Sequence, residues 1–418
     1  MGSTPGSPFT LKNLPYGIIT SRDNGKKRCA TVLEDHAIDL SVLHKEGLFT
    51  KIPGLEEDLF ANEYLNAFSS LPKEARGKVR EVLLRHLSTP GSSSSPAFVP
   101  LAEVQNHFPM DTRNFSDFYC SLEHTRNCTA VFKPDSEPGL NWFTAPMVYN
   151  GRTSSLTISG TPVRRPCGIF SPLSSKEAPS FQPELSMDFE LEMGVFLTGP
   201  TPRGTRLAIE DARDSIFGFV LLNDWSARQI QGFEMPPLGP FHSKGTATSI
   251  SPWIVTTEAL EAVACKMEYP QHSEPLQHLR WVEDSRATYD IELSAKIIRG
   301  GQSYLMCQSN LNELYWTPFQ QVTHLASAGE GLSAGDVFGT GTVSSPRKNS
   351  QGEKVGLGCI FERMLPTNTL SSLSDISSTF LKDGDRVVFD GWCRDPITKE
   401  VLFGFGTCEG ELLPALPL

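Results

Sequence analysis

Residues 187–196 read MDFELEMGVF, and this stretch decides the fold prediction. Strict alternation predicts a β-strand with Asp188, Glu190 and Glu192 on one face and apolar side chains on the other. Successive acids on one strand face stand roughly 7 Å apart at the backbone, so their carboxylates can converge. A hard divalent cation such as Mg2+ or Ca2+ would offset their mutual repulsion. The alternative is a solvated strand face at a sheet edge.

The composition limits the class of protein. At 418 residues the chain exceeds one comfortable core, so two domains are expected. A formal net charge of −11 without a basic block argues against a nucleic-acid partner. The absence of an apolar run of eighteen residues argues against a membrane partner. Nine cysteines without CxxC spacing predict reduced thiols in a cytoplasmic protein, and imply neither a zinc site nor a disulfide framework.

The first hundred residues predict a small β unit followed by helices. Short strand-like runs separated by turn signals occupy residues 14–43. Residues 55–71 and 72–87 have apolar side chains at helical spacing. Residues 88–96, STPGSSSSP, are too polar and too rich in helix breakers to pack, so we expect a loop or linker.

A domain boundary is expected shortly after this linker. We place an N-terminal domain at residues 1–108 and a second domain at residues 109–418. The second domain is predicted to be mainly short strands, because turn residues recur throughout it. One helix is expected around residues 318–325, with Pro318 in the first turn, where its missing donor does no harm.

A second acidic element lies at residues 220–231, VLLNDWSARQIQ. An apolar strand is predicted to end in Asp224, and a following turn or helix brings Arg228 and Gln231 to one face by i, i+3 spacing. Asp224 either joins the acids of the first strand or caps the helix. Lys244, thirteen residues further on, is either a structural counter-ion or an electrophile that stabilises developing negative charge.

A candidate base lies in residues 114–131, NFSDFYCSLEHTRNCTAV. His124 is flanked by polar residues and lies near an acid, Asp117, and a phenol, Tyr119. The alternative is a histidine without a chemical role, which is the commoner case for a single histidine.

Taken together, these stretches resemble the fumarylacetoacetase family over nearly the whole chain. Their order and spacing, with DxExE upstream of NDWSAR, carry the resemblance. The matching pieces are SDFY with His124 five residues after Tyr119, YNGR, SSLTISGTPVRRP, MDFELEM, LLNDWSARQIQ, PLGPF followed by Lys244, SPW, GDVFGTGT and DGDRVVFDGWC.

The resemblance implies a mainly β, α+β fold. A small N-terminal domain similar to an SH3-like barrel would precede a larger β-roll domain that holds the site. The family usually forms homodimers. Four carboxylates would bind the divalent cation, and Lys244 and Thr248 would border a further magnesium position. The implied metal ligands are Asp117, Glu190, Glu192 and Asp224.

The resemblance also implies roles in catalysis and substrate binding. His124 would be the general base, and Glu362 the carboxylate that orients it. Arg228, Gln231 and Lys244 would form the electrophilic set around the attacked carbonyl. The implied substrate-binding residues are Tyr119, Lys133, Tyr149, Gln231, Met235 and Thr342.

The implied reaction is hydrolysis of a carbon–carbon bond in a 1,3-diketo acid, a small-molecule substrate. His124 would take a proton from water, and the electrophilic set would stabilise the oxyanion. A chelated cation would act as Lewis acid for the carbon leaving group. Fumarylacetoacetate would give fumarate and acetoacetate, within aromatic amino-acid breakdown or a specialised pathway.

Several positions depart from the family pattern. Lys133 stands where the family has an arginine that grips a substrate carboxylate, and Met235 replaces a substrate-contacting tyrosine. Asn150 replaces the usual histidine of YHGR, and GTATSI replaces FGTTI after the lysine. The substrate could therefore be another acylpyruvate-like or dicarbonyl compound.

Three other interpretations remain open at this stage. The first two are a 2-oxo-acid decarboxylase and a metal-bound scaffold without catalysis. The third is a serine hydrolase, because residues 331–335, GLSAG, match GxSxG. That motif needs a strand before it and a helix after it. Here a helical stretch precedes and a strand follows, so we expect a plain turn.

Overall fold

Strands make up most of the regular structure in a computed structural model of the chain, which describes residues 6–171, 178–368, 370, 373, 376 and 379–418. The fold is mixed α+β and rich in strands, in agreement with the predicted class. The strands are β1 (Tyr16–Ser21), β2 (Asn24–Leu33), β3 (His36–Asp39), β4 (Phe98–Pro100), β5 (Val104–His107), β6 (Phe115–Phe118), β7 (Val148–Asn150), β8 (Leu156–Ile158), β9 (Val163–Arg164), β10 (Cys167–Phe170), β11 (Ser180–Pro183), β12 (Met187–Asp188), β13 (Leu191–Leu197), β14 (Ile216–Asp224), β15 (Ser226–Ala227), β16 (Thr248–Ile250), β17 (Val255–Thr256), β18 (Ala264–Cys265), β19 (Thr288–Tyr289), β20 (Glu292–Arg299), β21 (Gln302–Asn310), β22 (Val337–Gly339), β23 (Arg386–Arg394) and β24 (Val401–Leu413). The α-helices are α1 (Leu40–Lys45), α2 (Asn66–Ser69), α3 (Lys73–Leu87), α4 (Leu122–Phe132), α5 (Leu140–Thr144), α6 (Ala212–Ser215), α7 (Arg228–Leu238), α8 (Thr257–Leu260) and α9 (Pro318–Leu325).

The N-terminal part contains a five-stranded antiparallel sheet in the order β4-β3-β2-β1-β5. The strands predicted within residues 14–43 are present, although the last segment is a strand only as far as Asp39. Helix α1 begins there because the Asp39 carboxylate accepts a hydrogen bond from the Val42 amide at 3.1 Å. The local cap thus overrides the strand pattern that the apolar residues suggested.

The predicted helix over residues 55–71 is wrong, whereas the one over residues 72–87 is confirmed by α3. The first segment contains only a 3-10 turn at Leu59–Ala61 and the single turn of α2. Its apolar side chains are still buried or partly buried, because the segment runs as a loop over the N-terminal core. Apolar spacing here reflects burial from an irregular backbone, which periodicity alone cannot distinguish from a helix.

The Ser/Pro-rich segment at residues 88–96 connects α3 to β4 and contains one 3-10 turn, Ser92–Ser94. Strands β4 and β5 follow it and complete the N-terminal sheet by pairing with β3 and β1. The next strand, β6, belongs to a different sheet.

The second part of the chain is built on two larger sheets. One has the order β7-β6-β22-β13-β14-β16-β8, with β17 also paired to β14. The other has the order β21-β20-β23-β24-β9. Every residue of β13 and β14 is buried, because apolar side chains cover both faces of these central strands. The predicted helix at Pro318–Leu325 is confirmed, with Thr317 as its N-cap.

One face of β14 packs on the N-terminal sheet. Tyr16 of β1 and Phe68 of α2 have ring centroids 4.9 Å apart, and Phe68 meets Phe217 of β14 edge-on at 6.0 Å. Because β14 ends in Asp224, this aromatic cluster holds the strand that delivers a candidate metal ligand. Within the residues described above, no helix has the length and apolarity needed to cross a membrane.

We expect Phe217→Ala to lower the free energy of unfolding by about 3–5 kcal/mol, because a buried ring is replaced by a cavity. The measurement is chemical denaturation followed by circular dichroism. The matched control is Phe181→Ala, whose ring is 59% exposed and should change stability little. Equal losses in the two variants would contradict the packing described here.

Candidate active site and metal centre

The acidic stretch at residues 187–196 is two strands rather than one. Strand β12 pairs with β15 and β13 pairs with β14, with Phe189 and Glu190 between them. The interruption arises where the Glu190 amide donates to the side-chain oxygen of Asn223 at 3.1 Å instead of a strand carbonyl. Asp188, Glu190 and Glu192 are at most 5% exposed, so the alternative of a solvated edge is wrong.

Four carboxylates from separate segments meet in the interior. Each offers one oxygen, and these four oxygens lie within 4.8 Å of one another. Strand β6 supplies one acid, the β12–β13 stretch two, and the end of β14 the fourth. Asp224 therefore joins the acids, and helix α7 is capped by Ala227 without a side-chain hydrogen bond. The four residues are Asp117, Glu190, Glu192 and Asp224.

Two oxygens of this group, Asp117 Oδ1 and Glu192 Oε1, have no hydrogen-bond partner in the part of the chain that the structure describes. A buried carboxylate oxygen without a donor is costly unless a cation faces it. Oxygen ligands of this kind suit Mg2+ or Ca2+. The donor set therefore fits a divalent cation.

Gly339 makes this convergence possible, and sequence reasoning missed it. Strand β22 runs between β6 and β13. A Cβ atom at Gly339 would lie 2.6 Å from Glu192 Oε2 and 2.7 Å from Asp117 Oδ1. The glycine in the quoted GDVFGTGT piece was the available signal, because only a residue without a side chain leaves room for both carboxylates.

Two cations lie against the carboxylates. Lys244 Nζ donates to Glu190 and Asp224, and Arg228 Nη1 lies 2.8 Å from Glu190 Oε1. Burial favours a raised pKa at Glu190, but Lys244 and Arg228 outweigh it and lower that pKa to about 2. Burial, reinforced by neighbouring carboxylates, raises the pKa of Asp117 and of Glu192 well above the ordinary range. Asp117 and Glu192 therefore lack the compensating positive charge that Lys244 and Arg228 give to Glu190.

Hydroxyl groups complete the surroundings of the acids. The Tyr149 hydroxyl lies 2.8 Å from Asp117 Oδ2 and 3.1 Å from Asp224 Oδ2, and it can donate to one at a time. Thr248 Oγ1 donates to Asp224 Oδ1 at 3.2 Å. Tyr149 and Thr248, expected near substrate and metal respectively, therefore both contact the predicted metal ligands.

His124 and Glu362 form a buried pair. His124 Nδ1 lies 3.1 Å from Glu362 Oε2. Helix α4 presents the histidine in its first turn, where the Ser121 hydroxyl caps the helix by accepting from the His124 amide. Burial alone would lower the pKa of His124, but the Glu362 carboxylate outweighs it and raises that pKa to about 10.

Glu362 is itself held by neighbours that sequence reasoning did not select. Ser344 Oγ donates to Glu362 Oε2 at 2.7 Å, and Asn127 Nδ2 donates to Oε1 at 2.9 Å. Burial would raise the pKa of Glu362, but the His124 imidazolium and these donors lower it. The carboxylate therefore stays ionised and keeps the His124 ring oriented. The Tyr119 ring packs edge-on against the imidazole, with centroids 5.2 Å apart.

Asp188 connects this pair to the carboxylates. Its two oxygens accept from the Ile360 and Phe361 amides at 2.8 and 2.9 Å, just before Glu362. The same side chain accepts from Arg228 Nη2 at 2.8 Å. The alternating pattern predicts Asp188 on the acidic strand face but gives it no role. Its position two residues before Glu190 is the signal that could have placed it in the site.

The remaining predicted site residues divide into two groups. Gln231 Oε1 accepts from Arg228 Nη1 at 3.0 Å, as the i, i+3 spacing predicts. Thr342 is buried, and its hydroxyl lacks a partner among the described residues. Lys133, at the end of α4, and Met235, 40% exposed on α7, lie on the surface rather than among the buried acids.

The GxSxG segment at residues 331–335 lies between α9 and β22. The strand-then-helix order of a nucleophile elbow is therefore reversed. The Ser333 amide donates to Asp336 Oδ2 at 2.8 Å, and Gly331 and Gly335 have positive φ. These features are those of a turn, as expected.

Buried carboxylates beside a histidine–glutamate pair, on a strand-rich two-part fold, define a protein with a candidate divalent-metal site. The family model described as "Fumarylacetoacetate (FAA) hydrolase C-terminal" matches residues 113–412, and "Fumarylacetoacetase N-terminal" matches residues 12–109. The chain belongs to the fumarylacetoacetase family.

Similar proteins support this membership over the full length. The fumarylacetoacetase of Arabidopsis thaliana is 37% identical, with 98% of this chain and 97% of that protein covered. The fumarylacetoacetase of Homo sapiens is 36% identical, with the same shares covered. A solved fumarylacetoacetate hydrolase of Exiguobacterium antarcticum is 16% identical, covers 96% of this chain and 99% of its own, and has a TM-score of 0.52, so it supports the fold alone.

Replacing Glu192 with glutamine tests the metal site. Because the folded-state pKa of Glu192 is raised, its ionised form lowers stability at neutral pH. We therefore expect the melting temperature of Glu192→Gln without divalent ions to equal or exceed that of the wild type. Added Mg2+ or Ca2+ should raise the wild-type value and bind at least about tenfold more weakly to the variant.

The matched control is Glu57→Gln, an exposed glutamate whose replacement should leave the metal-induced rise in melting temperature intact. Differential scanning fluorimetry after dialysis against a chelator measures all three proteins. If the metal raises the melting temperature of Glu192→Gln as much as that of the wild type, the ion does not bind at the four carboxylates.

Replacing Glu362 with glutamine tests the imidazole pair. A raised folded-state pKa means that the His124 imidazolium stabilises the fold below about pH 6.5, and that this contribution is lost as pH rises through about 10. The ionised Glu362 contributes above its ordinary pKa of 4.5. We expect the stability lost in Glu362→Gln to be greatest between these two ordinary pKa values and to shrink towards pH 10.

NMR titration of the His124 ring in metal-free protein gives an independent readout. The His124 pKa should fall in Glu362→Gln and stay high in Glu137→Gln, which removes an exposed partner of Arg126 on the same helix. An unchanged His124 pKa in Glu362→Gln would show that another group holds the proton on the ring.

Proposed function

We propose that this chain is a metal-dependent hydrolase that cleaves a carbon–carbon bond in a 1,3-diketo acid. The proposed substrate is fumarylacetoacetate, giving fumarate and acetoacetate, or a related acylpyruvate. The observation that carries the proposal is the His124–Glu362 pair, tied through Asp188 and Arg228 to a buried group of four carboxylates. Family membership adds the reaction class.

His124 serves as general base in this proposal. Contact between Nδ1 and Glu362 places the ring proton on Nδ1, so that Nε2 of the neutral ring, 3.7 Å from Cys128 Sγ, accepts a proton from water. The resulting hydroxide attacks a carbonyl carbon of the substrate, and the proton can return to the carbon that leaves. Glu362 acts by orientation and by stabilising the imidazolium that forms.

Arg228, Gln231 and Lys244 form the proposed electrophilic set. The Arg228 guanidinium and the Lys244 ammonium both contact Glu190, which fixes their positions. Donors held in this way can stabilise negative charge on the attacked oxygen without reorganising, a contribution often worth roughly 3–4 kcal/mol per donor. The neutral amide of Gln231 adds a polar group beside the Arg228 guanidinium.

The proposed divalent cation, Mg2+ or Ca2+, would be held by Asp117, Glu190, Glu192 and Asp224. When bound, it supplies Lewis-acid stabilisation of negative charge on the diketo oxygens. Lys244 and Thr248 are proposed to border a further magnesium position, consistent with their contacts to Asp224. The substrate wall is proposed to include Tyr119, Tyr149, Gln231 and Thr342. Lys133 and Met235, which are exposed, are proposed to contact substrate from its outer rim.

We also propose a domain architecture and an oligomeric state for this chain. The N-terminal sheet would be an SH3-like barrel within residues 1–108, and residues 109–418 would form the β-roll catalytic domain. We further propose a cytoplasmic homodimer, on the basis of family membership and nine free cysteines.

Turnover of fumarylacetoacetate beside simpler acylpyruvates tests the proposal. We expect hydrolysis of at least one of these substrates with added Mg2+ or Ca2+, and loss of turnover after chelation. Product analysis by chromatography identifies the two acids, and assay of CO2 identifies decarboxylation. Released CO2 without the two acids would reject hydrolysis, and an inert protein across the panel would favour a scaffold.

Lys133 and Met235 provide a test of substrate choice. If fumarylacetoacetate is a poor substrate, Lys133→Arg with Met235→Tyr should raise kcat/KM for it by roughly tenfold, because one charge-assisted hydrogen bond contributes about 1.5–3 kcal/mol. The control is kcat/KM for a simple acylpyruvate, which should change little. If kcat/KM changes by the same factor for both substrates, residues other than Lys133 and Met235 set the substrate preference.

Ser333→Ala tests the serine-hydrolase alternative. We expect unchanged kcat and KM, because the segment is a turn between α9 and β22. The comparison variant is His124→Asn, which should lose most turnover. Loss of activity in Ser333→Ala at unchanged stability would restore a serine nucleophile.

A further inference from the structure

Two thiols flank the histidine–glutamate pair. Cys128 Sγ lies 3.7 Å from both ring nitrogens of His124. Cys359 Sγ lies 4.0 Å from His124 Nδ1 and 3.4 Å from Glu362 Oε2. Neither thiol has a part in the proposed hydrolysis, so this cluster requires a separate explanation.

Local chain geometry brings these ligands together in two pairs. His124 and Cys128 are four residues apart on α4 and therefore share one helix face. Cys359 and Glu362 are three residues apart around the 3-10 turn Phe361–Met364. Each element thus contributes two side chains, as structural zinc sites often do with two short ligand pairs.

The separations among His124, Cys359 and Glu362 are close to those expected around a tetrahedral zinc ion. Zinc bonds of about 2.3 Å to sulfur and about 2.0–2.2 Å to nitrogen and oxygen place neighbouring ligand atoms about 3.4–3.8 Å apart. Among His124, Cys359 and Glu362 the separations run from 3.1 to 4.0 Å, and the three side chains offer ligand atoms within 4.8 Å of one another. Cys128 Sγ lies equally far from both ring nitrogens, so its side chain must turn towards Nδ1 to become a fourth ligand. We propose that His124, Cys359 and Glu362 form a second metal site, completed by Cys128 after this rotation, which binds a thiophilic divalent cation of the Zn2+ class.

Ligand chemistry separates this site from the carboxylate group. Thiolate and imidazole favour Zn2+, whereas an all-oxygen set favours Mg2+ or Ca2+. On binding, the two thiols release their protons to solvent, and His124 presents Nδ1 without a proton. Two thiolates and one carboxylate would leave one negative charge on the complex, and the Arg228 guanidinium is close enough to interact with both cysteines.

Occupancy would stop the proposed hydrolysis. The ion would bind His124 Nδ1 and Glu362, and would thereby replace the contact between them that orients the proposed general base. Zn2+ would thus inhibit even when the carboxylates hold Mg2+, and the inhibition would not be competitive with Mg2+. Cys128 is the half-buried member of the four, so the ion would enter from its side.

Titration with Cd2+ tests the site directly. The protein is the full chain with saturating Mg2+ and a phosphine reductant that is not a thiol. We expect one equivalent of Cd2+ to produce the ultraviolet charge-transfer band of sulfur bound to cadmium, and Zn2+ to abolish it by competition. Cys128→Ser and Cys359→Ser should each weaken Cd2+ binding by at least about tenfold.

The matched control is Cys167→Ser with Cys265→Ser, which removes the other two partly buried thiols and should leave the band unchanged. A band that survives both Cys128→Ser and Cys359→Ser, or that disappears in the control, would overturn the proposal. So would a disulfide between Cys128 and Cys359 that persists in the reductant. Melting temperatures of each variant separate loss of ligand from loss of fold.

If the protein hydrolyses one of the proposed substrates, inhibition of that reaction by Zn2+ gives a second test of the site. Zn2+ should inhibit the wild type at fixed saturating Mg2+, and the inhibition constant should rise at least about tenfold in Cys128→Ser. Zn2+ inhibition that Mg2+ reverses by competition would place the ion at the carboxylates and overturn the proposal. The Cd2+ band does not depend on turnover, so failure of the proposed hydrolysis would leave this inference separately tested.

Discussion

The repulsion among four buried carboxylates is the constraint on which the rest of the site depends. Removing such charges from water carries a large desolvation penalty, and like charges in the same place add to it. Lys244 and Arg228 compensate on the Glu190 side, whereas Asp117 and Glu192 keep oxygens without donors among the described residues. A divalent cation between the carboxylates would offset this cost. Gly339 leaves room for Asp117 and Glu192 to approach each other, and the Tyr149 hydroxyl donates to Asp117.

Asp188 extends this constraint to the histidine. It binds the backbone before Glu362 and the Arg228 guanidinium, which in turn binds Glu190. His124 and the carboxylates are therefore connected through Glu362, Asp188 and Arg228. The positive charge of His124 also contributes directly to the lowered pKa of Glu190.

The same electrostatics govern the protonation of His124. Glu362 and the buried Cys359 thiol raise the pKa of the His124 imidazole to about 10 against the effect of burial, which favours the imidazolium at neutral pH. In the proposed mechanism the general base must be neutral, so positive charge placed among the carboxylates would lower the His124 pKa and favour that form. Under the two proposals, an ion at the carboxylates and an ion at the cysteines would both act on the His124 ring.

The sequence by itself determined the type and grouping of the chemical groups. Alternation in residues 187–196 predicted that Asp188, Glu190 and Glu192 share one face, but it left open whether that face is buried or solvated. The i, i+3 spacing placed Arg228 and Gln231 on one face, where they are hydrogen-bonded. Motif order was sufficient for the family. The apolar spacing of residues 55–71 failed, because burial from a loop gives the same pattern as a helix face.

Tertiary structure alone decided which distant groups meet. Gly339, Ser344 and Cys359 are far along the chain from the acids and the histidine that they contact, so no spacing rule predicts their roles. The interruption at Glu190 depends on an amide bond to Asn223, a neighbour supplied by another strand. Local patterns report which face a side chain occupies, whereas its partners depend on how strands pair across the sheet, and that pairing is a property of the whole fold.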